Sequence, residues 1–152
     1  MKEHEAVQES GVSVGEVRFA DEEADIRRIR NTVFSKEQGI DAKLDFDGRD
    51  GECIHVLARE GDGDAVGTAR MMEDGHIGRI AVLAERRGRG IGRRLTLALV
   101  EAARRRAIAR VYLHSQVHAV GFYEALGFRT SGPVFMEAGI EHVRMERQVE
   151  ST

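Results

Sequence analysis

The sequence predicts one domain of mixed α/β class, and three observations support that fold class. The chain has 152 residues, a length that suits a single hydrophobic core. Three strand-like runs follow one another with only short turns between them, which indicates antiparallel pairing. A strongly amphipathic helix then leads into a β-rich segment, which predicts a right-handed crossover to a parallel strand.

The composition excludes several classes of protein. Apolar residues make up 41% and charged residues 32% of the chain, and both signs of charge are spread along it to a net charge of -3. Cys53 is the single cysteine, so no disulfide framework is expected. No run of about 18 apolar residues predicts a membrane span. We therefore expect a globular cytoplasmic protein without a membrane partner.

The first half predicts an arm, a strand and a helix. Residues 1–11 are polar and lack periodicity, so a flexible N-terminal arm is expected before a single domain over 12–152. The segment "VSVGEVRFA" alternates like a strand. Helical spacing follows in "DEEADIRRIRNTVFSKEQ", behind an acidic first turn.

An acidic, turn-rich loop is predicted next, in "GIDAKLDFDGRDGE". It leads into a meander of three strands, "CIHVLARE", "AVGTARMM" and "HIGRIAVL", which the opening strand is expected to join. The loop could attract a cationic amine, or it could simply be solvated, as acidic loops usually are. Its carboxylates are Asp41, Asp45, Asp47, Asp50 and Glu52.

The second half carries the strongest helix prediction. "IGRRLTLALVEAARRRA" places apolar residues on one stripe, and "RVYLHSQ" is predicted to be the parallel strand after it. "HAVGFYEAL" predicts a second helix that ends at Gly127. The remainder, "FRTSGPVF" and "IEHVRMERQV", predicts a closing hairpin.

The segment "ERRGRGIGRR", Glu85 to Arg94, predicts an anion-binding loop. Five arginines and three glycines lie between a strand and a helix N-terminus, where unpaired amides and the helix dipole favour a phosphate. The glycines allow close approach of the backbone, and the arginines can add charged hydrogen bonds. The predicted phosphate-binding residues are Arg87, Gly88, Arg89, Gly90, Ile91, Gly92 and Arg93.

Other interpretations of this loop fit less well. A nucleotide P-loop needs Lys-Ser/Thr after its last glycine, and a dinucleotide fingerprint needs G-x-G-x-x-G after the first strand of a parallel sheet. Nucleic-acid binding is not expected, because the chain is acidic overall and lacks an aromatic stacking platform. A flexible basic turn that binds nothing is the remaining alternative.

The motifs together resemble the GNAT superfamily of N-acyltransferases. Arg87, Gly90 and Gly92 meet the acyl-CoA loop pattern of that family, and "QVHAVGFYEALGF" is similar to its last helical segment. The resemblance covers residues 17–149. It is closer to the ElaA-like branch in "RNTVFSKEQ", "LDFDGRD" and "EAGIEHVRM", although Glu141 stands where that branch commonly has proline.

The resemblance implies a fold, a reaction and a cofactor. The fold would be a mostly antiparallel mixed sheet with splayed parallel central strands, flanked by helices. The reaction would be acetyl transfer from acetyl-CoA to a primary amine through a tetrahedral intermediate, without a metal. A non-catalytic acyl-CoA sensor module is the alternative. Acetyl-CoA and an unidentified amine are the expected partners, and the protein is expected to be a monomer or homodimer.

The resemblance also implies site residues. Backbone groups of Ile80, Ala81 and Val82 would pair with the pantetheine arm, and the Val82 amide would polarise the thioester carbonyl. Near the thiol, the implied cofactor-binding side chains are those of Gln116, Ala119 and Phe122. For Gln116 and Phe122 a helix-capping or core-packing role is an alternative.

Tyr123 is the implied catalytic acid, because a phenol can protonate a leaving thiolate, and the alternative is a packing tyrosine. The residues alone do not single out a general base. Side chains whose pKa could be tuned for that role are Glu37, His114, His118 and His142. A zinc pair of His114 and His118 is not expected, because their spacing straddles a strand end.

Overall fold

The computed structural model describes residues 11–61 and 63–150. All of the predicted N-terminal arm except Gly11 lies outside these residues. Gly11 itself is tied to the domain, because its carbonyl oxygen accepts a 2.7 Å hydrogen bond from the Gly61 amide.

The first half of the chain forms an antiparallel sheet of four strands in the order β1-β2-β3-β4. This arrangement confirms the predicted meander and the predicted addition of the opening strand to it. The strands are β1 (Val12–Val17), β2 (Ile54–Glu60), β3 (Ala65–Met71) and β4 (Ile77–Val82).

The second half forms another antiparallel sheet, in which the last strand pairs with three others. The predicted closing hairpin is confirmed by the pairing of the two strands on either side of Ala138 and Gly139. The strands are β5 (Arg110–Gln116), β6 (Arg129–Thr130), β7 (Phe135–Glu137) and β8 (Ile140–Gln148).

Among the described residues, four α-helices accompany these sheets, and the first continues as a π-helix over Asn31–Glu37. The prediction that Phe19 and Ala20 extend the opening strand is wrong. The Asp21 and Glu22 amides donate to the Arg18 carbonyl, so the chain is already turning into the helix there. The helices are α1 (Phe19–Arg30), α2 (Ala42–Asp45), α3 (Ile91–Arg105) and α4 (Val120–Glu124).

The first sheet is covered on both faces. The apolar stripe predicted for α3 packs on one face, where Leu95 and Leu99 are fully buried. Ile26 and Ile29 of α1 pack with Leu57 on the opposite face. The result is a sheet between two helices, as expected for an α/β domain.

The two sheets meet where β4 and β5 begin. Among the described residues they share one parallel bridge, between His76 and Tyr112, and the Tyr112 amide donates to the Gly75 carbonyl at 3.0 Å. Gly75 has φ +97°, and a Cβ there would lie 2.4 Å from the Arg110 carbonyl oxygen, so the approach requires glycine. Beyond this bridge β4 and β5 separate, as the splayed strands were predicted to do.

The predicted acidic loop is a folded segment whose carboxylates are already paired. Arg30 is 1% exposed and bonds to Asp45 and Asp50, while Arg70 bonds to Asp47 and Asp50. The Arg70 hydrogen bond holds the pKa of Asp47 well below its usual range. Burial raises the pKa of Asp50, but Arg30 and Arg70 outweigh it and lower that pKa overall.

The remaining two carboxylates of the loop also have partners. Asp41 accepts from the Lys43 amide at the start of α2, and Glu52 accepts from Arg49. The loop therefore does not present five free negative charges to a cationic amine.

We expect Arg30→Ala to destabilise the fold by about 3–5 kcal/mol, because it removes the buried guanidinium that pairs with both Asp45 and Asp50. Arg27→Ala is the matched control, since Arg27 lies on the same helix and pairs with Glu23 at the surface. Its effect should stay within about 0.5 kcal/mol. Urea unfolding of both variants measures the difference, and equal midpoints would contradict a structural role for the buried pair.

Candidate active site

A cleft of about 490 Å³ opens where β4 and β5 have separated. One wall is β4, the other is β5 with the turn after it, and α2 and the β7–β8 turn cover the end. The residues of β4 and β5 that line it are Ile77, Gly78, Arg79, Ile80, Leu113, His114, Ser115 and Gln116. Such concave spaces between elements are where small-molecule ligands bind.

A bulge in β4 keeps this wall apart from β5. The pairing of β3 with β4 shifts register between Thr68 and Arg70, and Arg79 has φ +51°, which is unusual for a residue with a Cβ. The Arg79 guanidinium donates to the carbonyl oxygens of Leu44 at 3.0 Å and Asp45 at 3.1 Å. These bonds hold the strained residue in place.

The outer edge of β4 offers backbone groups to the cleft. The Leu83 amide donates to Val66 of β3 at 3.0 Å, and neighbouring amides along a strand point to opposite edges. The Val82 amide therefore points away from β3. The predicted backbone site thus lies on this free edge, with Ile80 lining the cleft and the side chain of Ala81 buried in the core.

The glycine loop, Glu85 to Arg94, places a row of amides without hydrogen-bond partners among the described residues at the start of α3. The first helical bond there runs from the Arg94 amide to the Gly90 carbonyl at 3.0 Å, and Gly90 has φ +79°. In the part of the chain that the structure describes, the amides of residues 88–93 donate no backbone hydrogen bond. The Ile91 side chain is core, so Ile91 can contribute only its amide. This geometry suits a phosphate.

The five loop arginines divide into two groups. Arg86 forms two hydrogen bonds with Glu60, and Arg94 donates to the Val12 carbonyl. Arg87 bonds both oxygens of Glu37, at 2.5 and 2.8 Å, and also the Val82 carbonyl at 2.9 Å. These three arginines therefore tie the loop to the rest of the fold.

Two loop arginines remain available to an anion. Arg89 and Arg93 are exposed, and neither forms an ion pair or side-chain hydrogen bond with any described residue. The predicted role of Arg87 at a phosphate stays a prediction, because its guanidinium faces Glu37 and Val82 in this structure.

The residues predicted to bind the cofactor near its thiol lie in two places. Gln116 and Ala119 line the cleft, and the Gln116 Oε1 shares a 2.7 Å hydrogen bond with His118 Nε2. Phe122 is 43% exposed, so its alternative role as a core residue is excluded. It lies against the start of α3, with its ring 3.8 Å from where a Cβ on Gly92 would be.

Tyr123 lies half-buried at the cleft wall. Its ring packs edge-on against Phe122 at 4.9 Å and Phe128 at 6.0 Å. Burial raises the pKa of Tyr123 to about 12, above the ordinary phenol value of about 10. The phenol therefore stays protonated at neutral pH, which is the form that a general acid requires.

The general-base candidates differ in their surroundings. The hydrogen bonds from Arg87 lower the pKa of Glu37, so Glu37 is a poor base here. His118 is hydrogen-bonded to Gln116, and His142 Nδ1 bonds the Ile140 carbonyl at 2.8 Å. His114 Nδ1 lies 2.9 Å from a carboxylate oxygen of Glu137.

No individual sequence signal pointed to Glu137, which only its position in "EAGIEHVRM" connects with the family motifs. Arg79 was also missed, because its φ and its contacts depend on the distant Leu44 and Asp45.

The described residues contain neither a metal-binding cluster nor a helix that could cross a membrane. Within residues 11–61 and 63–150, no three His, Cys, Asp or Glu side chains group as a metal ion would require. In the same ranges no helix has the length and apolar character needed to span a bilayer.

Comparison with known proteins identifies relatives along most of the chain. A family model described as an acetyltransferase (GNAT) domain matches residues 18–149. A Bacillus subtilis protein whose name classes it with the acetyltransferases is 41% identical over 129 residues, covering 81% of this chain and 87% of that protein.

Two solved structures extend this similarity to the fold. Protein ElaA of Escherichia coli is 32% identical over 131 residues, which cover 80% of this chain and 84% of ElaA. Its crystal structure matches with a TM-score of 0.78 over 90% of this chain and 99% of that one. An acyl-CoA N-acyltransferase from Pseudomonas aeruginosa matches with 29% identity, the same TM-score and the same coverage.

We expect Gly90→Val to weaken acetyl-CoA binding at least about ten-fold, which corresponds to about 1.4 kcal/mol. The side chain would occupy the open space above the free amides, and φ +79° is strained for valine. Gly132→Val is the matched control, because Gly132 has φ +90° and equally open surroundings outside the cleft. Calorimetric titration measures both, and an equal loss in the two variants would contradict the phosphate assignment.

Proposed function

This chain belongs to the acetyltransferase (GNAT) family, and we propose that it moves the acetyl group of acetyl-CoA directly onto a primary amine through a tetrahedral intermediate. The family makes it an acyltransferase that uses an acyl-CoA. One observation carries the finer proposal: the start of α3, with its free amides, lies against Val82 and against Phe122, the neighbour of the cleft residue Tyr123.

Acetyl-CoA would bind across the start of α3 and along the free edge of β4. Its pyrophosphate would accept hydrogen bonds from the amides of residues 88–93, with Arg89 and Arg93 supplying positive charge. The pantetheine arm would pair with the free edge of β4 like an added strand. The thioester would then lie near the Val82 amide and near Tyr123, which lines the cleft.

The chemistry needs three things from these residues. The acceptor must lose a proton to become a nucleophile, the developing oxyanion needs a donor, and the leaving thiolate needs a proton. The Val82 amide can donate to the oxyanion. The Tyr123 hydroxyl forms no hydrogen bond with any described residue, so it is free to face the sulfur.

Two assays test the proposed function. Acetyl-CoA at a hundred times its Kd should stabilise the fold by about 2.7 kcal/mol, measured as an upward shift in Tm. Thiol release should follow when primary amines of varied size and charge are added. Binding without thiol release from any amine would support the non-catalytic acyl-CoA sensor instead, and no thermal shift would overturn both.

Tyr123→Phe should lower kcat by about a hundred- to ten-thousand-fold, because it removes the proposed acid and keeps the ring that packs on Phe128. The Kd for acetyl-CoA and the Tm should stay near those of the parent. Tyr112→Phe is the control, since it removes a hydroxyl that bonds Asp74 outside the cleft. An unchanged kcat in Tyr123→Phe, with chemistry rate-limiting, would leave Tyr123 a packing residue.

A further inference from the structure

A carboxylate–imidazole pair lines the cleft on the side formed by β5 and β7. His114 is on β5 and Glu137 is the last residue of β7, and both line the cleft. Their contact, from Nδ1 to Oε1, is 2.9 Å. Ala138 and Gly139, both with positive φ, form the tight turn after Glu137 and fix its position.

This contact sets which nitrogen of His114 carries the proton. A carboxylate can only accept, so the neutral ring must place its hydrogen on Nδ1. Nε2 is then a free lone pair. It has no hydrogen-bond partner among the described residues, and about 30% of the side chain is exposed.

The ring of His114 is held between other rings. His76 lies 4.7 Å away and Phe135 meets it edge-on at 5.1 Å. Burial, and then the charge of His114, lower the pKa of His76 to about 4, so His76 is neutral at physiological pH. The titratable and charged groups around His114 on the neighbouring segments are Glu137, His142, Arg144, His76, Asp74 and Tyr112.

Among the described residues, the arginine that lines the cleft is already bound to protein groups. Arg79 donates to Leu44 and Asp45, and Asp45 is also bound by Arg30. A substrate carboxylate would therefore find no free arginine in the lining. The cleft lining also includes the apolar side chains of Phe34, Ile40, Leu44 and Ile140.

We propose that His114 is the general base, that Glu137 positions it, and that the acceptor is a primary amine on an uncharged, apolar body. This inference rests on the proposed function and names the acceptor side of the same cleft. A monocationic amine suits the Glu137 carboxylate, because the Asp45 carboxylate in the lining is already paired with Arg30 and Arg79. The body of the amine would be buried against the apolar lining.

The proton balance of the reaction fits this assignment. The ammonium gives one proton to His114 Nε2, which passes it to solvent, and the amine nitrogen attacks the thioester carbonyl. The C–N bond forms and the C–S bond breaks as the thiolate takes a proton from Tyr123, which recovers one from the acylated nitrogen. The products are an amide, the CoA thiol and one proton.

The acceptor class is tested with two amines that differ by one group. We expect the kcat/KM of the wild type to be at least about ten-fold higher with 2-phenylethylamine than with L-phenylalanine, which adds a carboxylate to the same body. Preference for L-phenylalanine, or reaction of neither while another amine reacts, would overturn this class. No thiol release from any amine would overturn the proposed function itself.

The base is tested with His114→Ala and 2-phenylethylamine. We expect kcat to fall about a hundred- to ten-thousand-fold with the acetyl-CoA Kd unchanged, and added imidazole to restore part of it. Gly90→Val is the control, because its defect lies in cofactor binding and imidazole should not raise its activity. Parental kcat in His114→Ala, or an equal response of both variants to imidazole, would overturn the assignment.

The role of Glu137 can be tested without an acceptor amine. Nitrogen NMR of the wild type bound to CoA should show His114 with its proton on Nδ1, and Glu137→Gln should lose this single tautomer along with kcat. A His114 ring protonated on Nε2 in the wild type would overturn the pair. Loss of activity in Glu137→Gln with an unchanged tautomer would assign Glu137 to the substrate instead.

Discussion

In the described part of the chain, β4 and β5 share one bridge and then separate, and this separation creates the cleft. Two parallel strands that meet at His76 and Tyr112 would ordinarily continue to pair, because unpaired strand edges leave backbone groups without partners. Here the bulge at Arg79 turns β4 aside, and the cleft takes the place of the missing ladder. A ligand with its own amide groups can complete that edge.

Buried ion pairs outside the strand pairing help to hold β4 apart from β5. Asp45 bonds Arg30 of α1 and also lies 3.3 Å from Arg79 of β4, so one carboxylate links helix packing to the strained residue of the bulge. Burying these charges is costly unless each is paired, and Asp50 and Arg70 extend the pairing to β3. The segment that supplies these carboxylates is thus part of the scaffold of the cleft.

Local patterns in the sequence predicted the elements and the glycine loop well. Helical spacing identified α3, and glycines before a helix N-terminus identified the free amides of residues 88–93. The separation of β4 and β5 was available only through family resemblance. No local pattern could show that Arg87 bonds Glu37 or that Asp50 pairs with Arg30, because these partners are far apart in sequence and meet only in the folded chain. Glu137 was missed for the same reason.

We propose that the free edge of β4 and the amides after it receive the cofactor. Hydrogen exchange resolved to single amides, with and without acetyl-CoA, tests it most directly. The amides of Val82 and residues 88–93 should exchange rapidly in the free protein and become protected together when acetyl-CoA binds. Acetyl-CoA binding that leaves these amides unprotected, while protecting amides elsewhere, would contradict it.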